Sequence, residues 1–396
     1  MKVLHTADLH LGKIFHDQSL ADDQAAMLDD LARILEEGSF AALVVAGDVY
    51  DRSIPSPDAV GLFGPFLERV KKIQPSPEIL VIPGNHDSAQ RLGYGRELFA
   101  RLGIRLGVSA EDCDKPVIVE KDGETCAFFM IPFLNSGSIS AAEKGEFLPL
   151  HSQSAMAEET GRRMEKARRS LPANQGVDYS VLAAHLFASG GREAGSERVF
   201  LGAAELVNIS LFEGFDYIAL GHLHRCQSAG KNAWYSGSPL AYSFSEAGQE
   251  KFFLSVELAK NETKVEKIPV KPRRRVTSLC GPFARFSGAA SAEGPEDPEL
   301  LSAAKDYLEI RLSDREITEN ARDILRKRFP YLLSLRQDEA LAGLSSMTRI
   351  HTPSERQSVA GDFKNFLASL YGEADNKEID LFNKLLKEIE DEESAS

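Results

Sequence analysis

The chain has 396 residues, which is long for one domain and enough for two or three. Hydrophobic residues make up 43% of it and charged residues 27%, a composition that excludes a disordered chain and an integral membrane protein. The formal net charge of −14 argues against a general nucleic-acid-binding protein, so any contact with nucleic acid would have to be local.

Targeting and redox signals point to the cytoplasm. Strand-like sequence begins at Lys2, which leaves no room for a signal peptide, and no apolar run approaches the ~18 residues of a membrane-spanning helix. The four cysteines are scattered without paired spacing, so we expect reduced thiols. We therefore expect a cytoplasmic protein with no membrane contact.

Five short apolar runs each end at a residue type that binds metals. Runs that are apolar on both faces are typical of buried parallel strands, whose carboxyl ends meet at one edge of a sheet. The runs and the polar residues that follow them are Val3–Ala7 with Asp8 and His10, Ala41–Ala46 with Asp48, Ile79–Gly84 with Asn85 and His86, Tyr179–Ala184 with His185, and Tyr217–Gly221 with His222 and His224.

Amphipathic helices are predicted between the first strands. The first, at about Leu20–Glu37, has one apolar stripe and closes at Gly38. The second, at about Pro57–Ile73, has two apolar stripes, and a third helix is expected at about Arg96–Leu102. One stripe of the second helix covers the sheet, and the other meets either a core neighbour or a partner subunit.

The middle of the chain is predicted to add a second sheet. Pro116–Leu134 has the pattern of a hairpin, residues 135–151 are loop-like, and Ser154–Leu171 is a basic helix whose charges either face solvent or contact phosphate. Helices alternate with strands in the first half and strands dominate later, which predicts an αββα sandwich. Strands that suit an antiparallel second sheet are Ala233–Ser236, Lys251–Leu258 and Thr263–Val270.

Two smaller segments follow the sandwich. Lys271–Arg275 and the Gly- and Pro-rich stretch Ser287–Pro298 mark a boundary and a loop. Beyond them we expect a small α+β unit, too small on size alone to be an independent catalytic domain. Its predicted elements are a strand at Tyr307–Leu312, a helix at about Glu316–Arg328 and a strand at Tyr331–Leu335.

The C-terminal segment predicts two amphipathic helices and an acidic tail. Thr352–Glu355 forms a capping box with proline at the first helical position, and a second helix is expected at about Lys377–Glu390. Such a pair either docks on a partner or packs on its own body. The tail Glu388–Glu393 carries part of the negative charge away from the rest of the chain.

The polar residues at the strand ends form a nitrogen and oxygen ligand set without thiolate. Such a set suits manganese, iron or zinc, and it is too large for one ion, which indicates two ions that share a carboxylate. Two ions ~3.5–4 Å apart stabilise the attacking and leaving oxygens of a phosphoryl displacement and lower the pKa of bound water. We expect His86, next to Asn85, to stabilise the transition state or to protonate the leaving oxygen. The candidate ligands are Asp8, His10, Asp48, Asn85, His185, His222 and His224.

In these motifs the chain resembles the calcineurin-like metallophosphoesterases, and within them the Mre-type branch of bacterial SbcD nucleases. The narrower resemblance is carried by the segment His5–Gly12, by Tyr235–Pro239 and by the continuation to Phe244–Glu246. It covers residues 1–275 strongly and the remainder in layout only. The resemblance implies a nuclease domain over 1–275, an α+β capping domain over 276–345 that contacts DNA, and a helical partner-docking segment with an acidic tail over 346–396.

The resemblance also implies roles for single residues. One ion would be held by Asp8, His10, Asp48 and His224, and the other by Asp48, Asn85, His185 and His222. His86 would be the catalytic histidine that is not a ligand, and Asp51 would orient a ligand from behind. The implied cofactors are two Mn²⁺ ions, with Mg²⁺, Fe²⁺ or Zn²⁺ as alternatives, and no ATP bound by this chain.

The family's activity would be exonucleolytic on duplex ends and endonucleolytic on single-stranded or hairpin DNA, in DNA repair, recombination and replication. Its members work with an SbcC-type ATPase and form a homodimer, which favours a partner for the second stripe of Pro57–Ile73. His16 lies near a position where relatives have a DNA-contacting histidine and stays outside the catalytic set. The implied dimer interface is Phe63, Phe66, Phe99 and Leu102, and the implied docking residues are Phe363, Phe366, Leu370, Phe382 and Leu386.

The negative net charge is compatible with DNA as a substrate, because bound ions reverse the sign of the field at a carboxylate-rich site. Phosphate contacts could come from Arg162 and Arg163, from Lys271–Arg275 or from the cap. A phosphoesterase acting on a small molecule or a phosphoprotein shares every ligand but has no use for a cap and a docking tail. A DNA-end scaffold with a vestigial site is disfavoured by the intact ligand set.

Overall fold

A computed structural model describes residues 1–143, 146–171, 176–189, 206–260, 262–288, 297–314, 319–337 and 379–384. The chain divides into two compact units, Met1–Asp338 and Glu339–Ser396. In the second unit, residues 379–384 are helical, and Phe382 is half-buried there. The other predicted docking residues, Phe363, Phe366, Leu370 and Leu386, lie outside the described residues.

The first unit is built from both strands and helices. The strands are β1 Lys2–Thr6, β2 Ile14–Phe15, β3 Gln18–Ser19, β4 Ala42–Ala46, β5 Glu78–Ile82, β6 Ile104–Leu106, β7 Val117–Lys121, β8 Glu124–Ile131, β9 Ser140–Glu143, β10 Glu146–Pro149, β11 Tyr179–His185, β12 Tyr217–Gly221, β13 Gln227–Ser228, β14 Ala233–Tyr235, β15 Phe252–Glu257, β16 Lys264–Pro269, β17 Val276–Gly281, β18 Tyr307–Leu312 and β19 Leu332–Gln337. The α-helices are α1 Ala21–Glu37, α2 Pro57–Lys71, α3 Ala89–Leu92, α4 Arg96–Ala100, α5 Gln153–Ser170, α6 Phe283–Ser287, α7 Pro298–Ala303 and α8 Ala321–Arg328.

The predicted αββα sandwich is confirmed. Among the described residues, one sheet has the strand order β16-β15-β1-β4-β5-β6 and the other has the order β13-β14-β12-β11-β8-β7. In β4, Val44 packs into the core between the sheets, whereas Leu43 and Val45 pack into the core under α1 and α2. The continuous apolar run of this strand is therefore explained by burial on both faces. Helix α5 covers the outer face of the second sheet through Met156 and Met164.

The expected composition of the second sheet was wrong. Strands β15 and β16 belong to the first sheet, where β15 runs antiparallel to β1 with Val3 opposite Val256. The second sheet is largely parallel, since β8, β11, β12 and β14 all run in one direction. Residues 135–151, expected to be a loop, contain the antiparallel hairpin β9–β10. An apolar pattern predicts that a strand is buried, but it does not predict which sheet the strand joins.

A small α+β arrangement follows the sandwich, as the sequence predicted. Strands β17, β18 and β19 form a parallel sheet that packs with α6, α7 and α8 around Leu308, Ile310, Leu325 and Phe329. Strand β18 has the predicted bounds, whereas α8 begins at Ala321, later than the predicted start near Glu316, because its N-cap residue Asn320 has a left-handed φ of 57°. The domain boundaries at 275 and 345 stay predictions.

The basic run Lys271–Arg275 connects this small unit to the sandwich, and its arginines contact residues of the same chain. The Tyr307 hydroxyl donates to Asp23 Oδ2 of α1 at 2.7 Å. Three arginines of the run contact neighbours in the chain: Arg273 with Asp22 at 3.1 Å, Arg274 with the Tyr331 hydroxyl at 2.7 Å, and Arg275 with Asp306 at 3.2 Å. The run therefore holds two parts of the fold together.

The basic face of α5 is also neutralised locally. Arg162 and Arg163 both pair with Glu159 at 2.7 Å, and Arg163 reaches Glu111 at 2.8 Å. This arrangement agrees with the solvated-face interpretation of the helix, in which the charges are balanced along its surface.

The apolar surface of α2 differs from the expected dimer interface. Phe63 and Phe66 are only 4% and 5% exposed and pack in the core of their own chain, so the placement of these two residues at an interface was wrong. Spacing had left a core neighbour and a partner subunit open as alternatives, and the family resemblance had favoured the partner. Phe99 is half-buried, and Leu102 is 61% exposed.

No helix in the described ranges combines the length and the apolar character needed to cross a lipid bilayer.

Candidate metal centre

The predicted ligands sit where five parallel strands end. Asp8, Asp48 and Asn85 follow β1, β4 and β5 of the first sheet, while His185 ends β11 and His222 follows β12 of the second. The two sheets face each other, so their carboxyl edges bring these side chains to one place.

The backbone at these positions is unusual. Asp8, His10, Asp48 and His222 have φ values of 53°, 44°, 49° and 105°, a region that residues other than glycine rarely adopt. Such conformations persist only when surrounding contacts fix them. Here the loops bond to each other, since the His10 amide donates to Asp48 O at 3.0 Å.

Glycine is required next to Asp48. A Cβ on Gly84 would lie 2.1 Å from Asp48 Oδ1, and a Cβ on Gly47 would lie 2.1 Å from His185 Nδ1. Gly47 also has φ of 95°. Both glycines therefore let backbone approach the site more closely than any side chain would allow.

Asp48 belongs to two clusters of potential ligand atoms. One cluster is His10, Asp48 and His86, and the other is Asp8, Asp48 and His185, with the ligand atoms of each cluster within 4.8 Å of one another. The Asp48 Oδ2 atom is 3.7 Å from His10 Nε2 and 3.5 Å from His185 Nε2. A carboxylate with this placement can serve two ions at once.

His10 and His224 converge on one side of Asp48. Their Nε2 atoms are 3.1 Å apart. The Nδ1 atom of His224 lies 3.1 Å from Glu246 Oε1, and the Nδ1 atom of His10 lies 3.5 Å from Asp51 Oδ1. Both imidazoles therefore have a carboxylate behind them and present Nε2 to the site.

His185, His222 and Asn85 converge on the other side. The Asn85 Oδ1 atom is 3.0 Å from His185 Nε2 and 3.1 Å from His222 Nδ1. The backbone amide of His222 donates to Asp8 Oδ1 at 3.0 Å, which links the two sheets at the site.

These side chains fit divalent ions, because acceptor atoms of His185 and Asn85 face each other with no proton between them. His185 Nδ1 donates to the Ala46 carbonyl at 2.9 Å, so Nε2 of the neutral ring is a lone pair that faces Asn85 Oδ1. His222 Nε2 is buried and makes no hydrogen bond within the described part of the chain. A cation would satisfy these atoms, and the set suits two ions with nitrogen and oxygen ligands.

The pKa values at the site keep the ligands in their metal-binding forms. Burial lowers the pKa of His185, and it lowers the pKa of His10 to about 4 and of His222 to about 3. Burial alone would raise the pKa of Asp48, but the imidazoles of His185 and His10 lower it to about 2. Near neutral pH the site therefore offers neutral imidazoles and an ionised carboxylate.

The family model of the calcineurin-like phosphoesterases matches residues 1–226, more than half of the chain. A curated relative from Staphylococcus epidermidis, the D subunit of the SbcCD nuclease, is 33% identical over 286 residues, which cover 72% of this chain and 73% of the relative. This chain belongs to the calcineurin-like phosphoesterases and, among them, to the SbcD family.

A second SbcD relative, from Staphylococcus saprophyticus, carries the same name and is 32% identical over 285 residues, or 72% of each chain. A solved structure, TT1561 of Thermus thermophilus, is 11% identical with a TM-score of 0.37 and covers 68% of this chain and 99% of its own. A similarity at that level adds nothing to the assignment. The SbcD membership makes the chain a hydrolase of the metallophosphoesterase class.

His86 and Asp51 lie beside the ligands of this SbcD-type chain. His86 Nδ1 donates to the Asp51 carbonyl at 3.0 Å, and the His86 amide donates to Asp48 Oδ1 at 2.9 Å. The Asp51 carboxylate accepts from Lys13 at 2.8 Å and faces His10. The catalytic role of His86 and the orienting role of Asp51 stay predictions.

Asp87 is a residue of the SbcD site that sequence reasoning missed. It follows Asn85 and His86, and its carboxylate accepts the backbone N–H groups of Val49, Tyr50 and Gly84 at 2.9–3.0 Å. Burial, followed by the nearby Asp48 carboxylate, raises the pKa of Asp87 to about 7. Asp87 thereby joins the loops after β4 and β5, and its position directly after Asn85 and His86 was the sequence signal.

Glu246 is the second missed residue. It is fully buried, accepts from His224 Nδ1 and pairs with Lys251 at 2.5 Å. Burial opposes its ionisation, but Lys251 and His224 lower the pKa of Glu246 to about 2. The sequence signal was the segment Phe244–Glu246, which carried part of the family resemblance although no role was assigned to Glu246.

His16 lies in the turn between β2 and β3, beside a cavity of about 840 Å³. Its ring packs against Phe15 and Phe244 at centroid distances of 5.1 and 5.2 Å. Arg311 and Arg336 of the small α+β unit line the same cavity. The structure thus brings His16 to the junction between the sandwich and the predicted cap.

Proposed function

We propose that this SbcD-type chain is the nuclease subunit of a complex with an SbcC-type ATPase. It hydrolyses DNA phosphodiester bonds with two divalent ions, as an exonuclease on duplex ends and an endonuclease on single-stranded or hairpin DNA, in repair and recombination. The observation that carries the proposal is the membership of Asp48 in both ligand clusters.

The ions would be held as the family resemblance implies. Asp8, His10, Asp48 and His224 would bind one, and Asp48, Asn85, His185 and His222 the other, with manganese as the expected metal. When bound, such ions neutralise phosphate charge and make hydroxide available near neutral pH. The buried loops, fixed by Asp87 and by the glycines, hold the ligands in place before the ions arrive.

His86 is the proposed proton-exchanging residue. Its Nδ1 proton is held by the Asp51 carbonyl, so Nε2 is the atom that exchanges a proton with the leaving oxygen. The imidazole of His10 packs edge-on at 4.8 Å between ring centroids and helps to fix the orientation of His86.

The names of the relatives support the partner. Both relatives are named as the D component of the SbcCD nuclease, and the proposed docking residues are Phe363, Phe366, Leu370, Phe382 and Leu386. We also propose a homodimer through the exposed apolar residues of α2 and of the segment around α4. Val60, Leu98 and Leu102, each at least 48% exposed, replace Phe63 and Phe66 in that surface.

Manganese-dependent digestion of end-labelled duplex and hairpin DNA, with and without the SbcC-type ATPase and ATP, tests the function. His86→Ala should reduce cleavage by about 10²–10⁴-fold while the bound manganese is retained. His151→Ala is the matched control, because His151 is exposed and bonds only to Ser136 among the described contacts. DNA left intact while a cyclic nucleotide or a phosphoprotein is hydrolysed would replace this proposal with the small-substrate phosphoesterase.

A further inference from the structure

The segment Tyr235–Glu246 contributes no predicted ligand, yet it lies directly behind His224. Glu246 is fully buried, and its Oε1 atom accepts the Nδ1 proton of His224 at 3.1 Å. The Oε2 atom accepts from Lys251 Nζ at 2.5 Å. A buried carboxylate thus connects one candidate ligand to a buried ammonium.

Lys251 holds the same ligand from its backbone side. Its Nζ atom donates to Glu246 Oε2, to Ser238 Oγ at 3.0 Å and to the carbonyl of His224 at 3.0 Å. These three acceptors use all three N–H bonds of an ammonium group. The Ser238 amide also donates to the His224 carbonyl, at 3.1 Å.

Gly237 shows how closely this loop approaches His224. Its φ is 77°, and a Cβ there would lie 2.6 Å from the His224 carbonyl oxygen and 2.7 Å from the Cys226 amide nitrogen. Only glycine permits this contact between the two backbones. His224 is therefore fixed at its imidazole and at its main chain.

The two sides of the metal centre are supported differently. His185 donates its Nδ1 proton to a neutral backbone carbonyl, that of Ala46. His224 donates its Nδ1 proton to the carboxylate of Glu246. A carboxylate behind a histidine raises its basicity as a ligand and fixes the ring, and loss of such partners typically costs about 10–100-fold in metal affinity.

We propose that Glu246 and Lys251 form a positioning pair that directs His224 Nε2 at one ion of the centre. The ion bound by His10 and His224 depends on this pair, and the ion bound by Asn85, His185 and His222 does not. The inference rests on the proposed two-ion centre and adds the residues that make its two halves unequal.

Manganese binding to the purified full chain, followed by equilibrium dialysis and elemental analysis, provides the test. The parent chain should bind two ions. Glu246→Gln keeps the volume and an acceptor oxygen but removes the charge, so one ion should bind about 10–100-fold more weakly and the other unchanged. Glu309→Gln is the control, because Glu309 is also buried, accepts from serine hydroxyls and pairs with the basic side chain of Arg336 at 3.4 Å, far along the chain from His224.

A double variant separates positioning from simple folding support. Lys251→Met alone leaves a buried carboxylate without its ammonium and should lower the melting temperature. Glu246→Gln combined with Lys251→Met removes both charges, so stability should recover while one ion stays weakly bound. Parent-like binding of both ions by the double variant would show that the pair serves folding only.

The remaining outcomes are also decisive. If Glu246→Gln binds two ions with parent affinity, the positioning pair is refuted and the two-ion centre stands. If the parent chain itself binds no manganese, the proposed function fails and this inference fails with it.

Discussion

The Nε2 atoms of His10 and His224 lie 3.1 Å apart although 214 positions separate the two residues in sequence. The contact exists because β1 and β12 belong to opposite sheets that end at the same edge. His224 presents a lone pair at Nε2 because its Nδ1 proton is held by Glu246, so either a proton on His10 Nε2 or a cation joins the two rings. The contact therefore places both Nε2 atoms where one cation would bind them.

Asp48 should differ from every other ligand in its effect on metal content. Asp48→Asn removes the carboxylate common to both clusters, so we expect the bound manganese to fall for both ions, whereas His10→Ala should weaken one. Elemental analysis after dialysis measures the difference. Asp122→Asn, in an exposed hairpin turn with φ of 54°, should keep both ions. Loss of a single ion in Asp48→Asn would contradict the bridging role.

Gly84→Ala should disable the centre without touching a ligand. The added methyl group would lie 2.1 Å from Asp48 Oδ1, so the carboxylate or the loop after β5 must move. We expect at least a tenfold loss of manganese affinity. Gly61→Ala in α2 is the matched control, since nothing lies within 4 Å of a Cβ there and alanine should add up to about 1 kcal/mol of stability. Unchanged manganese affinity in Gly84→Ala would contradict this prediction and mean that the loop moves without disturbing the ligands.

Substitutions on α2 and after α4 should separate core from interface. Phe66→Asp places a charge in a buried site and should prevent folding or lower stability by several kcal/mol. Leu102→Asp should instead convert a dimer to a folded monomer, because Leu102 is 61% exposed. Light scattering and circular dichroism measure the two outcomes. A folded Phe66→Asp monomer would restore the interface role of that residue.

Arg274 should stabilise the attachment of the small α+β unit. Its guanidinium lies 4.2 Å from the centre of the Tyr331 ring and donates to the Tyr331 hydroxyl. Arg274→Ala should cost about 1–3 kcal/mol and speed proteolysis between the sandwich and β17. Arg33→Ala, which breaks only exposed pairs on α1, should change stability by less than about 1 kcal/mol. Equal protease resistance of both variants would argue against this attachment.

The metal-free protein should lose stability in acid. Burial lowers the pKa of His5 and of His222 to about 3 and that of His10 to about 4, against 6.5 for free histidine. Between pH 6.5 and 4 the unfolded chain binds more protons than the folded one, so the free energy of unfolding falls as the pH falls. Each histidine contributes roughly 1.4 kcal/mol per pH unit in that window, and Asp87, whose pKa is raised to about 7, acts in the opposite sense and offsets one of the three. Urea unfolding in the presence of chelator measures the slope, and a flat profile from pH 6.5 to 4 would contradict it.

Local sequence was enough to predict that the candidate ligands lie close together, because each follows an apolar strand. Asp8 and Asp48 needed only the pattern of strand and carboxylate, and the parallel arrangement then brought them together. Glu246 could not be found in this way. Its partner His224 lies 22 positions earlier in the sequence, and its charge is paired with that of Lys251. Spacing does not encode such a contact.

The errors share a physical origin in non-local packing. The sequence pattern around Phe63 and Phe66 specifies an apolar face of α2. Only the three-dimensional position of the neighbouring segments shows that this face is covered by the same chain. The arginines of Lys271–Arg275 looked free in sequence, and their partners Asp22 and Asp306 come from distant segments. Charge runs and apolar stripes therefore identify surfaces that need partners without identifying the partners.

Strand β15 affects how much of the chain is needed to support the metal centre. The family model stops at residue 226, but β15 follows it and pairs with β1, the strand that delivers Asp8 and His10. A chain cut at that point would retain every ligand yet leave β1 as a bare edge with open hydrogen bonds. Such edges recruit other chains and aggregate. The sheet that carries Asp8 and His10 therefore extends beyond the family match, through β16 to Pro269.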